Sequence, residues 1–216
     1  VEYREGDALQ LPVGASIGSF DSIVINDHGK SAWNFFLDGT SGSSDDSGIF
    51  NGDTLVAQES FETFINGLST GTIYLGFFDV KCNDAGTNNI KWISVLTVDD
   101  PAIPSGVDRA IILFDDVIMG VTRELVTKEG DLYPGAPGAV EDFGTGPHQS
   151  AFNDMDDVMF FADHAGDTTM DGAIWIWDAG NFTLLAQEGM PAPIAGRTWS
   201  TLSSPELDLN NAGGYV

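Results

Sequence analysis

One short pattern returns along this chain. Leu55-Val56-Ala57-Gln58-Glu59 recurs as Leu125-Val126-Thr127-Lys128-Glu129 and as Leu184-Leu185-Ala186-Gln187-Glu188, with a weaker copy in Val1-Glu2-Tyr3-Arg4-Glu5. A repeat constrains a fold more than any single motif does, because each copy is one supersecondary unit that buries its apolar face only against the next copy. After each Glu comes a connector rich in Gly, Pro and Ser, then an apolar stretch that ends in Asn26-Asp27, Asn83-Asp84, Asn153-Asp154 or Asn210-Asn211. From Glu to Asn the separations are 21, 24, 24 and 22 residues, and from Asn to the next Glu they are 33, 46 and 35. The excess in the second copy falls in a Pro-containing stretch, residues 98–108, expected to be a loop.

Each unit carries four short groups of β-branched or aromatic residues bounded by turn residues, which is the signature of strands. The first unit predicts strands over 22–25, 31–37, 48–50 and 54–58; the second over 73–82, 89–96, 110–114 and 124–127; the third over 150–152, 158–162, 173–177 and 182–186. No stretch sustains a helical period, so the expected class is all-β. Four short antiparallel strands bury neither face alone, whereas several such sheets around an axis do. The expectation is therefore a β-propeller-like array, with a solenoid or paired sandwiches as the alternatives. It forms a single repeat domain over 1–216, with units at about 6–59, 60–129 and 130–188 and a partial unit made of 189–216 plus 1–5.

The Asn-centred segments carry a family resemblance. Asn26-Asp27-His28-Gly29-Lys30-Ser31-Ala32-Trp33 resembles the Asn-x-x-Gly-x-x-Ala-Phe repeat of bacterial exported tandem-repeat proteins, with Trp in place of Phe. Asn83-Asp84-Ala85-Gly86 and Asn210-Asn211-Ala212-Gly213 keep the first half, and the third copy, Asn153 to Phe160, lacks the Gly. The resemblance spans nearly the whole chain and implies an exported repeat architecture, without a shared reaction.

Charge narrows the partners. Eight Lys and Arg against 33 Asp and Glu give a formal charge of −25, a field that repels nucleic acid and anionic membranes and attracts cations or basic partners. With 42% hydrophobic and 11% aromatic residues the acidity is not that of a disordered chain. Cys82 is the single cysteine, so no internal disulfide is available. No apolar run approaches the roughly 18 residues of a membrane span. A start at Val1 without Met fits an exported mature protein or an excised fragment, and the expected location is extracellular or at the cell surface. Asn181-Phe182-Thr183 matches a glycosylation sequon.

Candidate sites follow from residue chemistry. The acidic stretch between the second and third strands of each unit offers Asp38, Asp45 and Asp46, then Asp99, Asp100 and Asp108, then Asp163, Asp167 and Asp171. Clustered carboxylates suit calcium, which makes it the candidate cofactor, with solvated acidic loops as the alternative. Asn and Asp before Gly favour tight turns over ligand roles. The Glu that recurs once per unit is expected to close a strand end. No pair of carboxylates in contrasting environments stands out, so no catalytic residue is assigned and the chain is expected not to be an enzyme.

Cys82 holds the place of Ile25, Phe152 and Leu209 and is expected in the core, while His28, His148 and His164 are expected at the surface. Trp33, Trp92, Trp175 and Trp177 fall in strands and are expected to pack. Trp199 lies in a connector and is the candidate ligand-binding residue, for a polysaccharide. The expected function is an extracellular structural or adhesive module; a polysaccharide-binding or polysaccharide-cleaving propeller is the alternative. Joining the ends, 211–216 and 1–5, gives eleven residues where complete units use 33 to 46, so roughly two strands of the last sheet are lacking. Residues Val1, Glu2, Tyr3, Leu207, Leu209, Tyr215 and Val216 are thus candidates for strand pairing between subunits into an oligomer or filament, unless a longer protein completes the sheet.

Overall fold

A computed structural model describes residues 3–84, 90–101, 109–117, 120–144, 146, 149–203 and 205–215. Thirteen strands, and no helix among the described residues, form three antiparallel sheets. Sheet 1 is the meander β1 (Ser16–Ile25), β2 (Ser31–Asp38), β3 (Ser47–Asn51) and β4 (Thr54–Gln58). Sheet 2 repeats it with β5 (Ile73–Cys82), β6 (Lys91–Asp99), β7 (Arg109–Val117) and β8 (Gly120–Lys128). Sheet 3 comprises β9 (Val140–Phe143), β10 (Ser150–Phe152), β11 (Val158–His164), β12 (Gly172–Asp178) and β13 (Asn181–Gln187).

Alternation along the strands explains how the sheets stack, since successive side chains point to opposite faces. In sheet 1, Trp33, Phe35 and Leu37 face outward onto Tyr3 and Leu9, while Ala32 and Ile49 face sheet 2. Sheet 2 is covered on both sides: Trp92, Leu96, Ile112 and Phe114 meet sheet 1, and Ile93, Val95, Ile111 and Leu113 meet sheet 3. That double burial explains the unbroken apolar run of β7, Ala110 to Phe114, and the nearly continuous one of β6, interrupted by buried Ser94. Sheet 3 turns Phe160, Trp175 and Trp177 toward sheet 2 and Met159 and Phe161 toward Leu202, Leu207 and Leu209. Successive sheets meet chiefly through their first strands, β5 lying against both β1 and β10. Among the described residues no strand is shared between the sheets, which meet through side-chain packing.

Two differences from the predicted strands have local causes. β1 begins at Ser16, well before residue 22, and absorbs two register irregularities against β2 that blur its alternation. The third unit's first strand is split: β10 pairs with Val158 to Phe160, and β9, not anticipated, pairs with Ala162 to His164 along the same edge of β11. β1 and β5 each span that edge as one strand of ten residues. The expected loop over 98–108 begins later, because β6 runs to Asp99, and its residues 102–108 lie outside the described residues, as does Asn89.

The recurring Glu marks a joint with one geometry. Glu59, Glu129 and Glu188 donate their backbone N–H to the carbonyls of Ser47, Arg109 and Gly172, which closes the fourth strand onto the third. The next residue has a left-handed backbone in every copy, with φ of 85° at Gly6, 66° at Ser60, 88° at Gly130 and 78° at Gly189. This is the reason three of the four are glycine. These residues then donate to the carbonyls of Ile17, Tyr74, Val140 and Trp199 at 2.7, 2.9, 2.8 and 2.8 Å. Trp199 therefore occupies the place of Ile17, Tyr74 and Val140 at the joint.

Candidate functional site

The Asn-centred segments assemble into one repeated loop. The side-chain oxygen of Asn26 accepts from the N–H groups of His28 (3.1 Å) and Lys30 (2.9 Å). Asn153 accepts in the same way from Met155 (3.0 Å) and Asp157 (2.9 Å), and Asn210 from Ala212 and Gly214 (both 2.9 Å). In the second unit Asn83 accepts from Lys91 at 3.3 Å. Asx side chains stabilise turns through such bonds to their own backbone.

The neighbouring residue links the units. The N–H of Asp27 donates to the Asp84 carboxylate (2.9 Å), that of Asp84 to Asp154 (2.6 Å), and that of Asp154 to the Asn211 side-chain oxygen (2.9 Å). A line of turns thus runs from sheet 1 to the fourth unit, each holding the next. Lys91 of sheet 2 reinforces it with an ion pair to Asp156 at 2.5 Å and to Asp115 at 3.5 Å. Burial alone would lower the Lys91 ammonium, but the two carboxylates outweigh it and raise its pKa.

Beneath the turns, β1 and β5 are joined by the Ser22 hydroxyl, which donates to Asp79 (3.2 Å) and accepts from the Val80 N–H (3.0 Å). Between β5, β10 and the fourth unit lies a cavity of about 540 Å3 lined by Lys81, Cys82, Ser150, Phe152, Glu206 and Asp208. Cys82, expected in the core, packs half-buried against the core between sheets 1 and 2 and also lines this cavity. Burial and the carboxylates of Asp84 and Asp154 push its thiol up to about 11, so it stays protonated at neutral pH.

The carboxylates proposed for calcium take several positions. Asp45 accepts from the Ser41 hydroxyl and the Ser41 and Gly42 N–H groups, and Asp167 accepts from the Thr169 N–H and hydroxyl; both cap their own turns, which holds their pKa values below the usual range. Asp38 and Asp99 end β2 and β6, and buried Asp100 accepts from the Ser69 N–H at 3.2 Å. Asp46 precedes β3 and faces buried Glu59, whose carboxyl is pushed up to about 7 by burial and by Asp46. Asp163, next to Asp171, Glu141 and Glu188, is raised by burial first and by those charges second. Asp108 lies outside the described residues. Among the described residues no three His, Cys, Asp or Glu side chains form a group able to hold a metal ion.

His164 corrects the expectation of surface histidines. It is 1% exposed, with Nδ1 3.0 Å from the Gly138 carbonyl and Nε2 accepting from the Trp175 indole N–H at 2.9 Å. Burial lowers its pKa and keeps the ring neutral, with the proton on Nδ1. His28 is exposed, and His148 lies outside the described residues. Trp33, Trp92, Trp175 and Trp177 are buried as expected. Trp199 is half-buried and packs with Leu202, Leu207 and Leu209 on sheet 3, where it lines an apolar cavity with Met159, Leu185 and Tyr215. Of the assembly candidates, Tyr3 lies edge-on against Trp33 at 5.0 Å, Leu207 and Leu209 are buried against sheet 3, and Tyr215 is exposed. Val1, Glu2 and Val216 lie outside the described residues.

These features define an all-β array of repeated antiparallel sheets joined by Asn-Asp turns. The chain belongs to a family of unknown function, DUF7453, whose model matches residues 3–216. No curated protein and no solved structure matches it.

Proposed function

We propose that this chain is a non-enzymatic extracellular structural or adhesive module, a propeller-like array whose fourth sheet is completed by strands from a neighbouring subunit. One observation carries the reading. We read residues 205–209 as holding the place of the ends of β1, β5 and β10, with Leu207 and Leu209 buried and Glu206 and Asp208 exposed, the alternation of a strand. Asn210 turns the chain back as Asn26 and Asn153 do, and the Leu209–Tyr215 bridge repeats the Ile25–Ser31 and Phe152–Val158 pairs that open the other hairpins. Among the described residues the 205–209 segment pairs with no strand beyond the Leu209–Tyr215 bridge, and this is the edge to which a neighbouring subunit's strand would add. An unpaired edge of this kind templates pairing with another chain. A head-to-tail contact that does not close generates a filament.

The contacts of β5 with β1 and β10, the cavity that β5 and β10 share with residues 206–208, and the position of β4, β8 and β13 at the edge of each sheet support the propeller-like reading. Light scattering across concentration, with electron microscopy of the concentrated protein, tests the assembly. Association that is lost on deleting residues 206–216 is expected. A monomer at every concentration, with the deletion changing neither size nor melting temperature, refutes it.

A further inference from the structure

A further cavity, of about 470 Å3, opens between the outer strands of sheets 1 and 2. Its mouth gathers four apolar residues that no packing explains: Leu11, Val13, Phe61 and Phe64, from 53% to 86% exposed. Single exposed apolar residues are ordinary, but four around one opening form a patch of the kind that meets a ligand. The floor is polar in an unusual way. Tyr74 is 2% exposed and lines the cavity, and its hydroxyl, beside the Arg123 guanidinium, has no acceptor among the described residues. Arg123, also in the wall, donates from one terminal nitrogen to the Val56 carbonyl, while its buried Nε is likewise without a partner. The two groups are neighbours: burial pushes the Tyr74 hydroxyl up to about 12, and the Arg123 charge opposes that rise.

Buried donors left unmet are costly, so a converging pair is a place to look for a missing acceptor. The repeat singles the pair out. At the joint, Tyr74 stands where Ile17, Val140 and Trp199 stand in the other copies. Six residues before each recurring Glu, Arg123 stands where the others have Asp53 and Phe182. A structural task performed in every unit requires neither residue, and Arg123 is one of only eight basic residues in a chain of charge −25.

We propose that this cleft binds a small amphipathic carboxylate, its apolar chain or ring against Leu11, Val13, Phe61 and Phe64 and its anionic head on the Arg123 guanidinium and Tyr74 hydroxyl. Both polar groups donate, so the ligand must accept; the planar guanidinium matches a carboxylate. The walls require an apolar body, and the cavity falls in the range of roughly 300–1,000 Å3 typical of organic-ligand sites. The strongly negative surface disfavours a multiply charged anion such as a diphosphate. Glu62, also in the wall, is engaged by the Gly71 N–H at 2.8 Å and leaves the Arg123 charge available to the ligand.

Isothermal titration of the whole chain with octanoate and with 4-phenylbutyrate, against 1-octanol and octylamine, tests this assignment. A carboxylate is expected to bind at least tenfold tighter than octanol, and octylamine not at all. Arg123→Gln is expected to remove that preference. Phe61→Ala with Phe64→Ala, at exposed positions where the fold does not depend on the rings, is expected to weaken carboxylate binding without moving the melting temperature. The double variant reads out the site even if Arg123→Gln fails to fold. No binding of either carboxylate, octanol binding as tightly as octanoate, or binding unchanged in the double variant overturns the proposal.

Discussion

Replacing Asn153 by Ala should cost far more stability than the same change at Asn210, although both side chains perform the same turn. Asn153 is 2% exposed and makes four bonds: it accepts from Met155 and Asp157 N–H and donates from Nδ2 to the Asp157 carboxylate (3.0 Å) and to the Asn210 carbonyl (3.2 Å). A net hydrogen bond contributes about 1 kcal/mol, and a donor left unmet in a buried place costs more. The sum is about 3–4 kcal/mol for Asn153→Ala. At exposed Asn210 water replaces the lost acceptor, and about 1 kcal/mol is expected. For a chain of this size the larger change corresponds to a fall of roughly 10 °C in melting temperature. Urea unfolding followed by tryptophan fluorescence is the assay, since Trp177 pairs with Val158 on the strand that Asn153 introduces. Equal losses at the two positions would refute the reasoning, because they would mean that turn chemistry alone matters and that the bond between units contributes nothing.

Two further predictions rest on single groups. Glu59 keeps its proton to about pH 7 when folded but releases it near 4.5 when unfolded, so the stability it supplies is full below pH 4.5 and is lost as pH rises toward 7. Glu59→Gln should therefore flatten the difference in urea midpoint between pH 4.5 and 7.5, and a wild-type slope retained in the variant would count against it. Ala179 sits at φ 44° beside Gly180 in the two-residue turn between β12 and β13, a conformation that Asn tolerates better than Ala. Ala179→Asn should raise stability by about 0.5–1 kcal/mol in the same urea assay, and an unchanged midpoint would show that the backbone is not strained there.

Much of the fold was legible because a repeat averages out local ambiguity. Four copies of the Glu joint and four of the Asn turn placed the strand order correctly even where single strands were weak. Bounds failed where sequence alternation was broken: the bulged start of β1, and β9, cut from β10 by residues 144–149 with their Gly144 and Gly146. His164 was misplaced because a histidine near an acidic loop looks exposed, whereas its partners, the Gly138 carbonyl and Trp175, approach it from 26 and 11 residues away. The Asp-to-Asp links between turns were equally hidden. They span 57 or 70 residues, so only the stacking of sheets reveals that one turn's Asp or Asn side chain accepts from the preceding turn's backbone amide.

By itself, then, the sequence determined the class, the period of the array and the turn chemistry, because strand alternation and Asx turns are written within a few neighbouring residues. Only the tertiary structure decided which faces are doubly covered, that Trp199 takes the place of Ile17 and Tyr74 at the joint, and that Tyr74 and Arg123 meet in one cleft. Those facts depend on contacts between distant units, and a buried donor without a partner can be recognised only once everything around it is in place.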